Sequence, residues 1–453
     1  MKRLPLGSSP RIRPAMTRRN FLRDSLLAAG GLTLAGCGSP LGAGFAGTKI
    51  APGTVDYWNL FGGGDGVRMQ EMLQTFEDSQ DLGLKAVTLT WGNPYYTKLS
   101  LATIGGRPPD LAVSHLSRVP TLVEGGLLQA LDPDTMAEYD MPAENFEPVA
   151  WEKATVDGAT YAVPLDTHPF VLFYNTDICK EAGLLDADDQ LVSMDGPDAF
   201  IEALGKAKQV TGSWGGVVAI NADTATNWRI FQSLYSQLGG EVLADNGKEI
   251  VLDDDKAMQV LEYVKRLSVD DELMPSSIDY AGSVALFASG DAGFFLQGEW
   301  EITTFQTAEL PFSMTLFPNV FGGDKYSCQA DSHTLIIPSV DEEDPDRTDR
   351  ALSLIKSILD QSLTWAEGGH VPLWLPFQES EEYRQLQPQS NYAAAAQTAA
   401  YDPPAWYSGS GSNFEIVIGS AVATVRAGQA EPEAAIESTR SGLTTLANTP
   451  SPV

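Results

Sequence analysis

From Val55 onward the hydrophobic positions change period repeatedly, and each change marks an element. Val55 to Leu60 is a short apolar run that ends in the loop FGGGDG, which reads as a strand and its turn. Met69, Met72, Leu73 and Phe76 then recur at the i, i+3, i+4, i+7 spacing of one helix face. Val87 and Leu89 alternate within a predicted strand over 86–90. A helix around 96–104 follows, and GGRPP leads into a strand over 110–113. Strand, helix, strand, helix, strand is the order of a parallel sheet, whose binding edge lies at the carboxyl ends of its strands.

Residues 162–175, AVPLDTHPFVLFYN, are two apolar pieces interrupted by a polar, proline-bearing turn, suited to a chain crossing between two halves. Ala257, Val260, Leu261, Val264 and Leu267 make another core-facing helix stripe. The segment 285–295 leads to LQGEW, and DSHTLIIP (331–338) reads as a strand crossing back. A helix over 347–360 turns Ala351, Leu354, Ile355 and Ile358 inward. Pro, Ser and Gly then loosen the pattern around 402–413, before a last helix near 421–427. There is no internal repeat. Roughly 400 residues are too many for one ordinary core and predict two lobes.

The first 36 residues read as an export signal. Arg11, Arg13, Arg18, Arg19 and Arg23 form its basic stretch, and TRRNFLR places Arg18 and Arg19 in a twin-arginine pattern. The apolar run from Leu26 to Ala35 is too short to span a bilayer. Leu34 to Cys37, LAGC, resembles the lipobox of bacterial lipoproteins, which implies that the Cys37 thiol carries a diacylglycerol anchor. Met16 offers an alternative start. Residues 37–54, rich in Gly, Ser, Ala and Pro, read as a flexible tether.

Seven of the 29 basic and one of the 60 acidic residues lie in that signal, so the remainder carries 22 against 59, a formal charge of −37. Such a surface repels nucleic acid and anionic lipid, so the expected partner is neutral or cationic and the membrane is met through the anchor. Cys179 and Cys328 remain beside Cys37. An oxidising compartment permits a bridge between them, whereas folding before export favours two buried thiols.

Catalytic constellations find little support. The histidines 115, 168, 333 and 370 are scattered, with no H-E-x-x-H or C-x-x-C, so neither a metal nor a cofactor is expected. No G-x-S-x-G elbow appears, and the loop Gly62 to Gly66 lacks the Lys-Ser/Thr of a phosphate-gripping loop. A carboxylate pair of glycoside-hydrolase type cannot be singled out among so many acids. Tryptophans carry the better signal, because sugar rings have apolar C–H faces that stack on flat aromatics. Trp58 ends a strand beside the glycine loop, Trp228 lies in TNWR, Trp300 in GEW and Trp406 in PPAWYSGSGS. Trp91, Trp151, Trp214, Trp365 and Trp374 read as structural.

The chain resembles the large extracellular solute-binding proteins of carbohydrate ABC importers, the class that includes maltose-binding protein. The resemblance rests on the order and spacing of several blocks: Tyr57 to Gly66, PPDLAVSH (108–115), VEGGLLQAL (123–131), GATYAVPLDTHPFVLFYN (158–175) and LGGEV through FASGDAGFFLQGEW (238–300). It implies an α/β two-lobed clamp closing on a ligand, with lobe 1 over 55–164 and 330–365 and lobe 2 over 165–329 and 366–453. By position it implies ligand contacts from Trp58, Asp65, Ser114, His115 and Arg118 in the first lobe. Asp166 and His168 would lie at the crossing, Asn227, Trp228, Arg229 and Trp300 in the second lobe, with Trp406 as a looser match. Ser114 stands where maltose-binding protein has a tryptophan, so the sugar need not be a malto-oligosaccharide. The resemblance implies a monomer that hands its carbohydrate to transmembrane permease subunits. A peptide or cationic metabolite as ligand, and a secreted glycoside hydrolase, are the alternatives.

Overall fold

A computed structural model describes residues 53–451 except 324, 342 and 343; the export signal, Cys37 and nearly all of the tether lie outside the described residues. Two sheets organise the rest. In the first, the strands Gly83–Thr88, Thr54–Asn59 and Leu111–His115 run parallel, and His333–Ile336 and Val163–Pro164 complete the order. The helix Gly63–Ser79 buries Met69, Met72, Leu73 and Phe76, the face its spacing predicts. The strand expected over 86–90 begins earlier, at Gly83, because it pairs along the whole of Thr54–Asn59.

The second sheet is built around Asp166–Asn175, whose ten residues are all buried. Its partners are Ala292–Gly298, Phe312–Leu316, Cys328–Asp331 and the short Val371–Pro372, and Trp214–Val217 and Ala399–Ala400 extend the sheet. A strand covered on both faces reads as an almost continuous apolar run, which is how this one reads. The chain crosses between sheets at Leu165 and at Ser332, as the two polar-interrupted strands predict.

Past the expected boundary at 366 the chain touches both halves: Val371–Pro372 pairs with Asp166 and Thr167 of the second sheet, Trp374 packs with Phe146 of the first lobe, their rings 5.1 Å apart, and Gln389–Thr398 again lies against the second sheet. Several helices were not foreseen, among them Pro197–Thr211, Thr224–Gln237 and Pro432–Ala447. Thr224–Gln237 buries 11 of its 14 residues, polar ones such as Thr226, Asn227, Gln232 and Ser233 among them, so polarity does not mark its outer face. Pro432–Ala447 buries a narrow stripe of Ala435, Ile436, Thr439 and Leu443. Cys179 and Cys328 are free and buried, and burial pushes both thiols up to about 12.

Candidate functional site

A cavity of about 280 Å³ lies between the two lobes. Its wall comes from the segments that follow the strands, where an open α/β sheet exposes side chains without breaking its own ladder. In the first lobe, Leu60, Phe61 and Asp65 follow Thr54–Asn59, Trp91 follows Gly83–Thr88, and His115 ends Leu111–His115. In the second, Asp223, Ala225 and Arg229 follow Trp214–Val217, while Trp300 follows Ala292–Gly298 beside Tyr280. His168 and His333 enter from the two crossing strands.

Local geometry decides which members of each motif reach the cavity. Around TNWR, Ala225 and Arg229 are one helical turn apart and share a face. Trp228, on another face, is fully buried and donates its Nε1–H to Asp402 at 2.8 Å. Asn227 is equally buried, accepting from Arg426 at 2.6 Å and donating to the Ile220 and Asp223 carbonyls. Both are core residues of the second lobe, not cavity walls. Successive strand residues point to opposite faces, so His115 reaches the cavity while Ser114 is buried, its hydroxyl donating to the His115 carbonyl. Trp58 lies half-buried against the first core with the Lys98 ammonium 5.2 Å above its ring. Arg118 spans the two lobes instead, donating to the Ser410 carbonyl at 2.8 and 3.0 Å. Trp406 lines a separate cavity with Tyr407 and Lys248.

The second-lobe wall is aromatic and cationic. The Arg229 guanidinium sits 4.9 Å from the Trp300 ring and 6.0 Å from that of Trp91, across the gap from the first lobe. Trp300 donates its Nε1–H to the Tyr280 hydroxyl at 2.9 Å, and Tyr280 in turn donates to Glu301. A Cβ at Gly298 would strike the Trp300 ring, so the glycine is what lets the indole fold back over the strand end.

Beneath this wall lie all four histidines of the chain. The sheet register sets His333 opposite His115, and Asp331 opposite His168, so residues far apart in sequence meet at the crossing. Asp166, fully buried, accepts from Trp365 Nε1 at 2.6 Å, His333 Nδ1 at 2.9 Å, the His333 backbone N–H at 3.0 Å and His168 Nδ1 at 3.1 Å. Burial alone would raise its pKa. The charge on His333 and the hydrogen bonds from His168 and His333 outweigh that and hold it well below the carboxylate range. His333 is raised for the reciprocal reason: burial works to lower it, and the Asp166 charge prevails. Burial pushes His115 well down, His168 to about 4 and His370 to about 3. Burial also raises Asp65 to about 8 and Glu299 well above its ordinary value. Asp166 and His333 thus favour each other's charged forms, while burial favours the uncharged forms of the other imidazoles and of Asp65 and Glu299.

The order of these elements agrees with a family model of bacterial extracellular solute-binding proteins, which matches residues 64–354. The chain belongs to that family. Among curated relatives of this solute-binding family, a maltooligosaccharide ABC transporter solute-binding lipoprotein of Streptococcus pneumoniae is 24% identical over 60% of this chain and 61% of its own length. An arabinooligosaccharide-binding protein of Bacillus subtilis is 28% identical over 54% of this chain and 53% of its own. The matched region therefore spans little more than half of these relatives. The GacH receptor of Streptomyces glaucescens, solved unliganded and with acarbose, superposes with a TM-score of 0.72 at 19% identity, over 88% of this chain and 99% of that one. That likeness establishes the two-lobed solute-binding fold.

Of the residues the sequence singled out, the structure brings Asp65, His115, His168, Arg229 and Trp300 to one cavity, with Asp166 directly behind. Trp91, Tyr280, Asp223 and His333 also line it, without having been singled out as ligand contacts. Trp91 carried a usable signal in the Gly-Asn-Pro that follows it, and His333 in being a polar residue inside an apolar crossing strand.

Proposed function

We propose that this protein is the lipid-anchored, substrate-capturing component of an ABC importer and that it takes a carbohydrate into the cleft between its lobes. The observation that carries this reading is the wall of Trp300, Arg229 and Tyr280 facing Trp91 across the gap. A sugar presents an apolar face to one indole and hydroxyls to the guanidinium, the phenol and Asp65, a division of labour that suits it better than a cation. Arg229 on the wall argues against the cationic metabolite. The names of the relatives point to oligosaccharides. Cys37 with the twin-arginine pattern supports anchoring at the outer face of the cell membrane, where permease subunits would receive the sugar.

Calorimetry with maltooligosaccharides and arabinooligosaccharides, with peptides and polyamines as controls, tests the ligand class. Saturable binding of one oligosaccharide series is expected, with no new product by mass spectrometry after prolonged incubation. Binding confined to peptides or polyamines would overturn the carbohydrate reading, and turnover would move it to a glycoside hydrolase. Cys37→Ser should release the protein from membranes.

A further inference from the structure

We infer that His115, His168 and His333 form a site for a divalent transition-metal ion such as Zn²⁺ at the floor of the cleft. One candidate ligand atom from each of the three lies within 4.8 Å of the others, and their rings are 4.2 to 5.4 Å apart between centroids. Zinc holds imidazole nitrogens at about 2.0–2.1 Å, which puts two of them roughly 3.4 Å apart around a tetrahedral ion. The nitrogens therefore draw together by up to ~1.4 Å when an ion binds.

The hydrogen-bonding partners suit metal binding, with His333 giving up its Nε2 proton as the ion arrives. Ligating histidines almost always present one nitrogen to the metal and fix the other on a carboxylate or similar partner. Here the Nδ1 atoms of His168 and His333 lie 3.1 and 2.9 Å from the two oxygens of Asp166, and the Nδ1 of His115 lies 2.7 Å from the Tyr96 hydroxyl. Among the described residues none hydrogen-bonds their Nε2 atoms, and all three rings line the cavity. A single carboxylate that orients two of three histidines is a supporting shell in place before the ion arrives. Around the floor, among the described residues, both oxygens of Glu299 and the Oδ1 of Asp65 are buried without a hydrogen-bond partner, polar atoms that a bound ion and its water would satisfy. Three imidazoles leave a fourth position open toward the cavity, where a ligand oxygen or water completes the sphere. Asp166, His333 and His370 also approach one another, but there Asp166 and the Nδ1 of His333 are already spent on each other.

The full chain, stripped with a chelator, is titrated with Co²⁺ and Zn²⁺ in the absence of any sugar, so that failure here leaves the carbohydrate proposal standing. One ion per chain is expected, with the visible absorption of a low-symmetry, nitrogen-rich Co²⁺ site that Zn²⁺ displaces. His115→Gln and His168→Gln should each abolish that absorption. Tyr96→Phe, which removes only the supporting hydroxyl, should weaken Zn²⁺ binding about tenfold. Melting curves check that each variant folds, and X-ray absorption on the unaltered protein should show three imidazoles around zinc. No stoichiometric uptake, binding that survives both glutamine variants, or a coordination shell made of carboxylates would overturn the site.

Discussion

The second-lobe wall and the histidine floor of the same cleft are built on opposite principles. Trp300, Arg229 and Tyr280 are each only partly buried, and their flat faces border the cavity. The floor is buried, and the Asp166 carboxylate ties His168, His333 and Trp365 together. Polar groups that complete each other in a low dielectric hold the fold in one arrangement, whereas a half-wet aromatic contributes little until a ligand covers it. The wall should therefore answer in affinity and the floor in stability.

The largest test of that contrast is Asp166→Ala. It leaves four buried donors, the His168 Nδ1, the His333 Nδ1 and backbone N–H and the Trp365 Nε1, without their acceptor. Breaking a buried ion pair on one side costs about 3–5 kcal/mol. Urea unfolding should show a loss of that size, and a loss below about 1 kcal/mol would show that the floor is not what ties the crossing strands together.

Trp300→Ala should do the reverse. Removing an aromatic anchor costs about 2 kcal/mol of binding or more, roughly thirtyfold in affinity. Stability should fall by much less than the 3–5 kcal/mol of a buried tryptophan, because the ring is partly exposed in the protein without ligand. Calorimetry and thermal melting on the one variant decide it: a variant that melts far lower yet binds normally would make Trp300 a core residue.

The wall was more legible in the sequence than the floor, and the reason is physical. GEW and TNWR announce themselves locally, as a tryptophan two residues after a glycine and one beside an arginine. Even there the sequence cannot say which side of the helix faces the cleft, so Asn227 and Trp228 were grouped with Arg229 although they belong to the core. The floor is assembled by sheet register between strands more than two hundred residues apart in sequence, so four scattered histidines looked like four unrelated ones. Periodicity is read along one strand and register only between two. The sheets themselves were legible from apolar runs at Val55, Leu111 and Asp166, whereas Thr224–Gln237 was hidden because it buries polar residues such as Thr226, Asn227, Gln232 and Ser233 along with its apolar ones.

Gly298→Ala sharpens the contrast without touching a binding group. The added methyl collides with the Trp300 indole, which must leave its place over the strand end. Affinity should fall by about 1–2 kcal/mol, approaching the loss from Trp300→Ala. Tryptophan fluorescence of the free protein should shift as the ring moves. Unchanged fluorescence and affinity would mean that the indole is not positioned through this glycine.

The smallest expected effect isolates the hydroxyl behind the indole. Tyr280→Phe keeps the ring on the wall but removes the oxygen that accepts from Trp300 Nε1 and donates to Glu301. A single hydrogen bond is worth about 0.5–1.5 kcal/mol net, so if that oxygen only orients the indole, affinity should drop about two- to tenfold. If it also bonds the sugar, the loss exceeds that range, because the ligand hydroxyl is then buried unpaired. Combining Tyr280→Phe with Trp300→Ala distinguishes the two. Full additivity of the losses would show that Tyr280 acts on the ligand by itself, and a double variant no weaker than Trp300→Ala alone would show that it acts through the tryptophan.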